Sequence, residues 1–135
     1  MKVHQYTHKI FFSDTDQAAV VHHSNYLRYF EAARIQFLSD IGFPYKELQA
    51  KKIGLAPVTI SINYIHPLRL EDTYTVYTKL IKIKKATLIL QQKVFCNKTL
   101  CCDATIKLAS LDESIFKIVP IDNQLKESII NYFNN

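Results

Sequence analysis

The chain has 135 residues, 48% of them hydrophobic and 21% charged, a composition that excludes intrinsic disorder and leads us to expect one globular domain. Lys and Arg outnumber Asp and Glu by 17 to 12, a formal charge of +5, yet the basic residues are dispersed and no nucleic-acid-binding motif accompanies them. Only two glycines and four prolines, no low-complexity run and no apolar stretch of membrane-span length argue against linkers and a membrane anchor; with no signal peptide, a soluble cytoplasmic protein is expected.

Residues 5–12 alternate loosely between apolar and polar and predict a first strand. Residues 11–41, FFSDTDQAAVVHHSNYLRYFEAARIQFLSDI, then read as a polar loop feeding one long helix. Ser24 or Asn25 would cap that helix through a side-chain oxygen. Tyr26, Tyr29, Phe30, Ala33, Phe37 and Ile41 recur at three- and four-residue spacing, one apolar face. Gly42 suits the residue just past the helix end, and Pro44 stops the helix resuming. Glu31 and Arg34, three apart, could form a supporting ion pair; Glu31 could instead reach a cleft.

The loop carries Asp14, Asp16, His22 and His23 to the head of the helix. Unpaired N–H groups and the positive end of the macrodipole favour an oxygen that acquires negative charge there. A carboxylate beside such a site can attack a polarised carbonyl or activate water to do so. The plainer reading of each Asp is an Asx turn or a cap. The adjacent histidines suggest a metal, but no further ligand stands at suitable spacing, and none is expected.

Residues 45–51 predict a helical turn or two, with Gly54 and Pro57 as punctuation. Residues 58–64 alternate cleanly, Val58, Ile60, Ile62 and Tyr64 against Thr59, Ser61 and Asn63: a half-buried strand ended by Pro67. Residues 73–83, 87–96 and 100–111 are three further strands, the last two joined by a turn at Asn97, across which Cys96 and Cys101 could face each other. Lys79, Lys82, Lys84 and Lys85 gather at a strand connection, where a solvated hairpin tip is the simple reading. Residues 115–119 suggest a short added strand. Residues 122–133 carry Leu125, Ile129, Ile130 and Phe133 at helical spacing and predict a C-terminal helix. Strand, long helix, then a run of strands predicts an α+β domain, an antiparallel sheet packed on one side by helix.

The motif FxDTDxxxVVxHxNYLxYFExAR over residues 12–34, continued by LAPVTISINYIHPLRL at 55–70 and Glu71-Asp72, resembles the hotdog-fold acyl-CoA thioesterases of the 4-hydroxybenzoyl-CoA thioesterase class, in particular the YbgC-like branch. The resemblance covers roughly the first 110 residues. It implies an antiparallel sheet wrapped around one long central helix, with a short C-terminal helix. It implies hydrolysis of an acyl-CoA thioester, with coenzyme A as part of the substrate and no other cofactor.

By resemblance Asp16 is the catalytic carboxylate, as nucleophile or general base, and the backbone N–H at His23 polarises the thioester carbonyl. Asp14 braces the loop. Lys84 and Lys85 meet the phosphates of coenzyme A, and Thr87 its pantetheine arm. Val58 and Thr59 line a cleft completed between subunits of a homodimer, or of a homotetramer built as a dimer of dimers. Two positions depart from the pattern: Ala19 stands where the family usually has Gly, in the approach to substrate, and His22 where an aromatic residue is common. The acyl group, aromatic (hydroxybenzoyl or dihydroxynaphthoyl) or short aliphatic, is not legible. Two other readings stand beside hydrolysis: a hydratase or dehydratase pairing His23 with Glu31, and a non-catalytic acyl-CoA-binding module.

Overall fold

A computed structural model describes residues 2–134. Its elements are β1 (His4–Lys9), a single 3-10 turn (Phe12–Asp14), α1 (Asn25–Asp40), α2 (Tyr45–Ala50), β2 (Ile53–Tyr64), β3 (Thr73–Ile83), β4 (Thr87–Cys96), β5 (Thr99–Asp112), β6 (Lys117–Ile118) and α3 (Asn123–Asn134). The strands form one antiparallel sheet in the order β1-β3-β4-β5-β2, with β6 added to the far end of β5. β3 and β4 fall where strand propensity places them. The first strand is shorter than expected, because the chain turns into the 3-10 segment after Ile10.

One face of the sheet carries the helices. Tyr26, Tyr29, Phe30, Ala33, Phe37 and Leu38 of α1 are buried in one cluster with Val76, Leu88, Leu90, Val94, Ile106 and Leu108 of the sheet. Ile41, expected on the same face, is only partly buried. α3 adds Leu125, Ile129 and Phe133 to that cluster, so two helices share the covering of the sheet. Phe37 links them, its ring centroid 5.1 Å from Phe133 and 5.2 Å from Tyr132. Each such fully buried side chain contributes roughly 1.5–3 kcal/mol.

α1 ends as the sequence indicates. Gly42 has φ +97, its N–H donates to Ser39 O at 3.1 Å, and the Phe43 N–H donates to Leu38 O at 2.8 Å. This pair of bonds is a Schellman motif. The start of α1 differs from expectation. Ser24 has helical angles, and its Oγ lies 2.8 Å from His22 Nδ1. Asn25 Nδ2 donates to Asp14 O and its Oδ1 accepts from Arg28. Neither side-chain oxygen accepts from a first-turn amide.

β2 is the other correction. It runs from Ile53, through Gly54 and Pro57, which were read as breaks. A strand tolerates Pro57 here because β2 is an edge and its register with β5 shifts between Pro57 and Thr59. Half-burial holds for Ile62 but not for the rest of the alternating set: Val58 is 52% exposed, Ile60 39% and Tyr64 48%. At the β4–β5 turn Cys96 pairs with Thr99, so it does not face Cys101 across the ladder, and all three thiols are free.

Candidate active site

Asp14 and Asp16 are two residues apart and meet opposite fates. Asp14 is 4% exposed. Its Oδ2 accepts from the Tyr29 hydroxyl at 2.9 Å and from the Phe11 N–H at 3.3 Å, and Arg28 Nη1 stands 3.7 Å from Oδ1. Its carbonyl accepts from His22 N and Asn25 Nδ2. Asp14 therefore ties the loop to the first two turns of α1. Burial, and then the bond to the Asp14 carboxylate, push the Tyr29 hydroxyl well above its ordinary range, so it acts as a fixed donor.

Asp16 is exposed. Its Oδ1 accepts from the Ala18 N–H at 2.8 Å and from Val20 N at 3.4 Å, the Asx turn that was the plainer expectation. Oδ2 has no donor among the described residues. The turn closes through Asp16 N to Val20 O at 2.9 Å and Ala19 N to Asp16 O at 3.0 Å. Ala19 has φ 62, a left-handed conformation that a glycine adopts without penalty. The backbone need that explains glycine at this position is thus present here, and an alanine meets it under strain.

The loop is pinned from outside by the bridge Val20↔Arg69 and by Leu70 N to Ala19 O. His23 is exposed, its ring 4.2 Å from that of His22 and edge-on to Tyr64 at 6.0 Å. Its backbone N–H has no acceptor among the described residues. A shallow depression of about 240 Å³ opens beside it, lined by Val21, Tyr26, Tyr64 and Ile65. A free carboxylate oxygen and a free amide at a helix head thus share one end of the molecule.

The remaining expected site residues are not gathered there. Lys84 and Lys85 are exposed and flank the β3–β4 turn, held by Lys84 N to Thr87 O at 2.7 Å and Ile121 N to Lys85 O at 2.8 Å. Thr87, half-buried, opens β4 beside them. The Asp16 turn lies just before β3 and the lysines just after it. Eleven strand residues, roughly 35 Å, separate them within one chain. Val58 and Thr59 are exposed midway along the edge strand.

Glu31 is exposed, and Arg34 forms no ion pair with it among the described residues. Arg34 Nη1 donates instead to Gln92 Oε1 at 3.0 Å. His23 and Glu31 are separated by about two turns of α1, roughly 10 Å, so the acid–base pair of a hydratase is not assembled within the chain. No group of three or more His, Cys, Asp or Glu side chains is placed to hold a metal ion among the described residues. Sequence reasoning missed the cavity of about 220 Å³ between α1, α2 and the sheet, lined by Arg34, Ile35, Leu38, Leu88 and Leu90. It arises from long-range packing that no local pattern announces.

Residues 11–129 match the sequence model of the Thioesterase-like superfamily. The chain belongs to that family, as a hotdog-fold, YbgC-like thioester hydrolase. It is similar to the acyl-CoA thioesterase YbgC of Haemophilus influenzae, 29% identical over 87% of this chain and 88% of that one. It is 31% identical to a putative esterase of Aquifex aeolicus, over 90% and 94% of the two chains. Among solved structures it resembles BH1999 gentisyl-coenzyme A thioesterase, with TM-score 0.85 and 27% identity over 92% of this chain and 98% of that one.

Proposed function

We propose that the protein hydrolyses an acyl-CoA thioester to the free acid and coenzyme A, with Asp16 and the His23 amide as its reacting centre and α1 as the central helix of the hotdog. The observation that carries this is the unengaged Asp16 Oδ2, in a loop anchored by Asp14, beside an uncapped helix head. The thioester carbonyl oxygen accepts from the His23 N–H, where the helix end stabilises the developing charge by a few kcal/mol (about 3). Asp16 then attacks the carbonyl carbon or takes a proton from the attacking water, and the thiolate leaves. Trapping an acyl-enzyme by rapid acid quench marks the first course, and its absence in single turnover the second.

The site is completed between two protomers. β2 offers a twelve-residue free edge with exposed Val58 and Ile60. Two-fold antiparallel pairing of two such edges, centred near Val58 and Thr59, lays the Tyr64 end of one strand beside the Gly54 end of the other. That brings the Asp16 and His23 of one protomer to the cavity of its partner, at the end of the sheet where Lys84, Lys85 and Thr87 stand. The lysines then receive the phosphates of coenzyme A.

The cavity, about 220 Å³, is below the range of roughly 300–1,000 Å³ usual for drug-sized ligands and suits a short or single-ring acyl group. Asp16→Asn tests the reading. Turnover across a thioester panel from acetyl to naphthoyl should drop by about 10²–10⁴-fold at unchanged melting temperature. Turnover within a few-fold of wild type rejects Asp16 as the reacting group.

A further inference from the structure

The cavity lining is mostly aliphatic, with Phe37, Tyr45, Glu31 and one cation, Arg34. Arg34 of α1 lines it, and its only side-chain bond among the described residues is the one from Nη1 to Gln92 Oε1 at 3.0 Å. Gln92 is fully buried and fixed: its Nε2 donates to Phe30 O at 3.1 Å and to Thr78 Oγ1 at 3.0 Å, so its oxygen must face Arg34. The guanidinium is thus aimed by a neutral amide. Glu31 also lines the cavity but is exposed and, among the described residues, forms no ion pair with Arg34, so it offsets that charge only in part. Arg34 is half-buried, and burial pulls its pKa below the ordinary value, only partly offset by Glu31. A cation in that setting is under-compensated, and its remaining N–H groups form a fork that matches a carboxylate.

We propose that Arg34 is a specificity-determining residue that binds a carboxylate at the far end of the acyl group, so that the preferred substrates are thioesters of short dicarboxylic acids. At about 30 Å³ per water-sized group, a cavity of about 220 Å³ holds roughly seven non-hydrogen atoms, the size of a succinyl to glutaryl chain. Ile35, Leu38, Leu88 and Leu90 would flank the methylenes, and Arg34 would take the charged end. This rests on the thioesterase reading only for the reaction, since the carboxylate site itself is a property of the cavity.

The test compares glutaryl-CoA with pentanoyl-CoA, equal in chain length and different in the terminal carboxylate. Wild-type kcat/KM should favour glutaryl by roughly tenfold or more. The ratio should collapse towards one in Arg34→Met, and also in Gln92→Glu, which supplies an internal carboxylate to Arg34 without removing it. A wild-type ratio near one, or a ratio unchanged in a variant that keeps its circular dichroism, overturns the proposal. Binding of monomethyl glutarate and methyl pentanoate, esters that differ in the terminal carboxylate, decides the matter apart from catalysis when read by thermal shift. If wild type hydrolyses no thioester yet is stabilised by monomethyl glutarate and not by methyl pentanoate, and Gln92→Glu loses that effect, the carboxylate site stands and the thioesterase reading falls. Hydrolysis without any glutarate selectivity leaves the reaction standing and removes the carboxylate site.

Discussion

Asp14 and Asp16 show how much two positions in a loop decide. Asp14 accepts from a buried tyrosine hydroxyl, so Asp14→Ala leaves the Tyr29 O–H without its acceptor. Loss of about 1–3 kcal/mol is expected in chemical denaturation, with Tyr29→Phe costing less, about 1 kcal/mol, because Asp14 Oδ2 still accepts from the Phe11 N–H. Equal cost for the two would show that the pair is not what braces the loop. Ala19→Gly relieves a left-handed alanine, a gain of roughly 1–2 kcal/mol in the folded chain offset by about 0.5–1 kcal/mol of added freedom when unfolded. The variant should be as stable as wild type or slightly more so by equilibrium denaturation. A clear loss of stability would mean that the Ala19 methyl makes a contact worth more than its strain.

Alkaline stability is also a residue-scale property. Burial pushes the Cys102 thiol from 9.0 up to about 12, and burial likewise raises the Tyr29 and Tyr74 hydroxyls above 10.0. These groups stay protonated in the fold and ionise more readily once unfolded. Their contribution is fully present below pH 9 and is lost as pH rises through the folded values. Melting temperature should therefore fall from about pH 9 upward, and Cys102→Ala should flatten its early part between 9 and 10. An identical pH profile in the variant rejects Cys102 as a contributor.

At the scale of elements, α1 is set by a buried face and a C-terminal stop, not by a side-chain N-cap. A Cβ at Gly42 would meet nothing within 4 Å, so Gly42→Ala isolates backbone strain at φ +97. A cost of about 1–2 kcal/mol is expected by thermal denaturation, and no cost would mean the Schellman turn rearranges freely. The absent N-cap has the opposite meaning. Ser24 spends its hydroxyl on His22 and Asn25 spends its amide on Asp14, which leaves the helix head open to an external acceptor. Where sequence reasoning placed a side-chain cap, the fold ties the Asn25 and Tyr26 amides to His22 O and His23 O and keeps the His23 amide bare among the described residues.

The whole molecule raises the question of assembly. β2 has the alternation of a half-buried strand, and Ile60, Ile62 and Tyr64 share the core face of the sheet, yet at this edge Val58, Ile60 and Tyr64 stay exposed. Together with the roughly 35 Å between the Asp16 turn and the lysine turn, this is the observation on which the proposed two-protomer site rests. Ile60→Lys should give a folded monomer by light scattering with thioester turnover reduced about 100-fold or more, since each cavity loses its partner's Asp16. A monomeric variant with full activity would show that one chain suffices. Lys84→Ala with Lys85→Ala should raise KM for a CoA thioester roughly tenfold while leaving kcat/KM for the phosphate-free N-acetylcysteamine thioester nearly unchanged. Equal effects on both would place the lysines outside coenzyme A recognition.

What the sequence determined by itself follows from local rules. The period of α1, the glycine and proline after it, the limits of β3 and β4, and the loop that carries two carboxylates to a helix head are all set by neighbours within a few residues. The tertiary structure alone decided which carboxylate is buried, because Tyr29 and Phe11 close on Asp14 and leave Asp16 Oδ2 free. It alone ran β2 through Gly54 and Pro57 along an open edge and set Arg34 against Gln92, 58 residues away. Those outcomes depend on which distant strands and helices meet, and the pattern of a single segment carries no record of its partner.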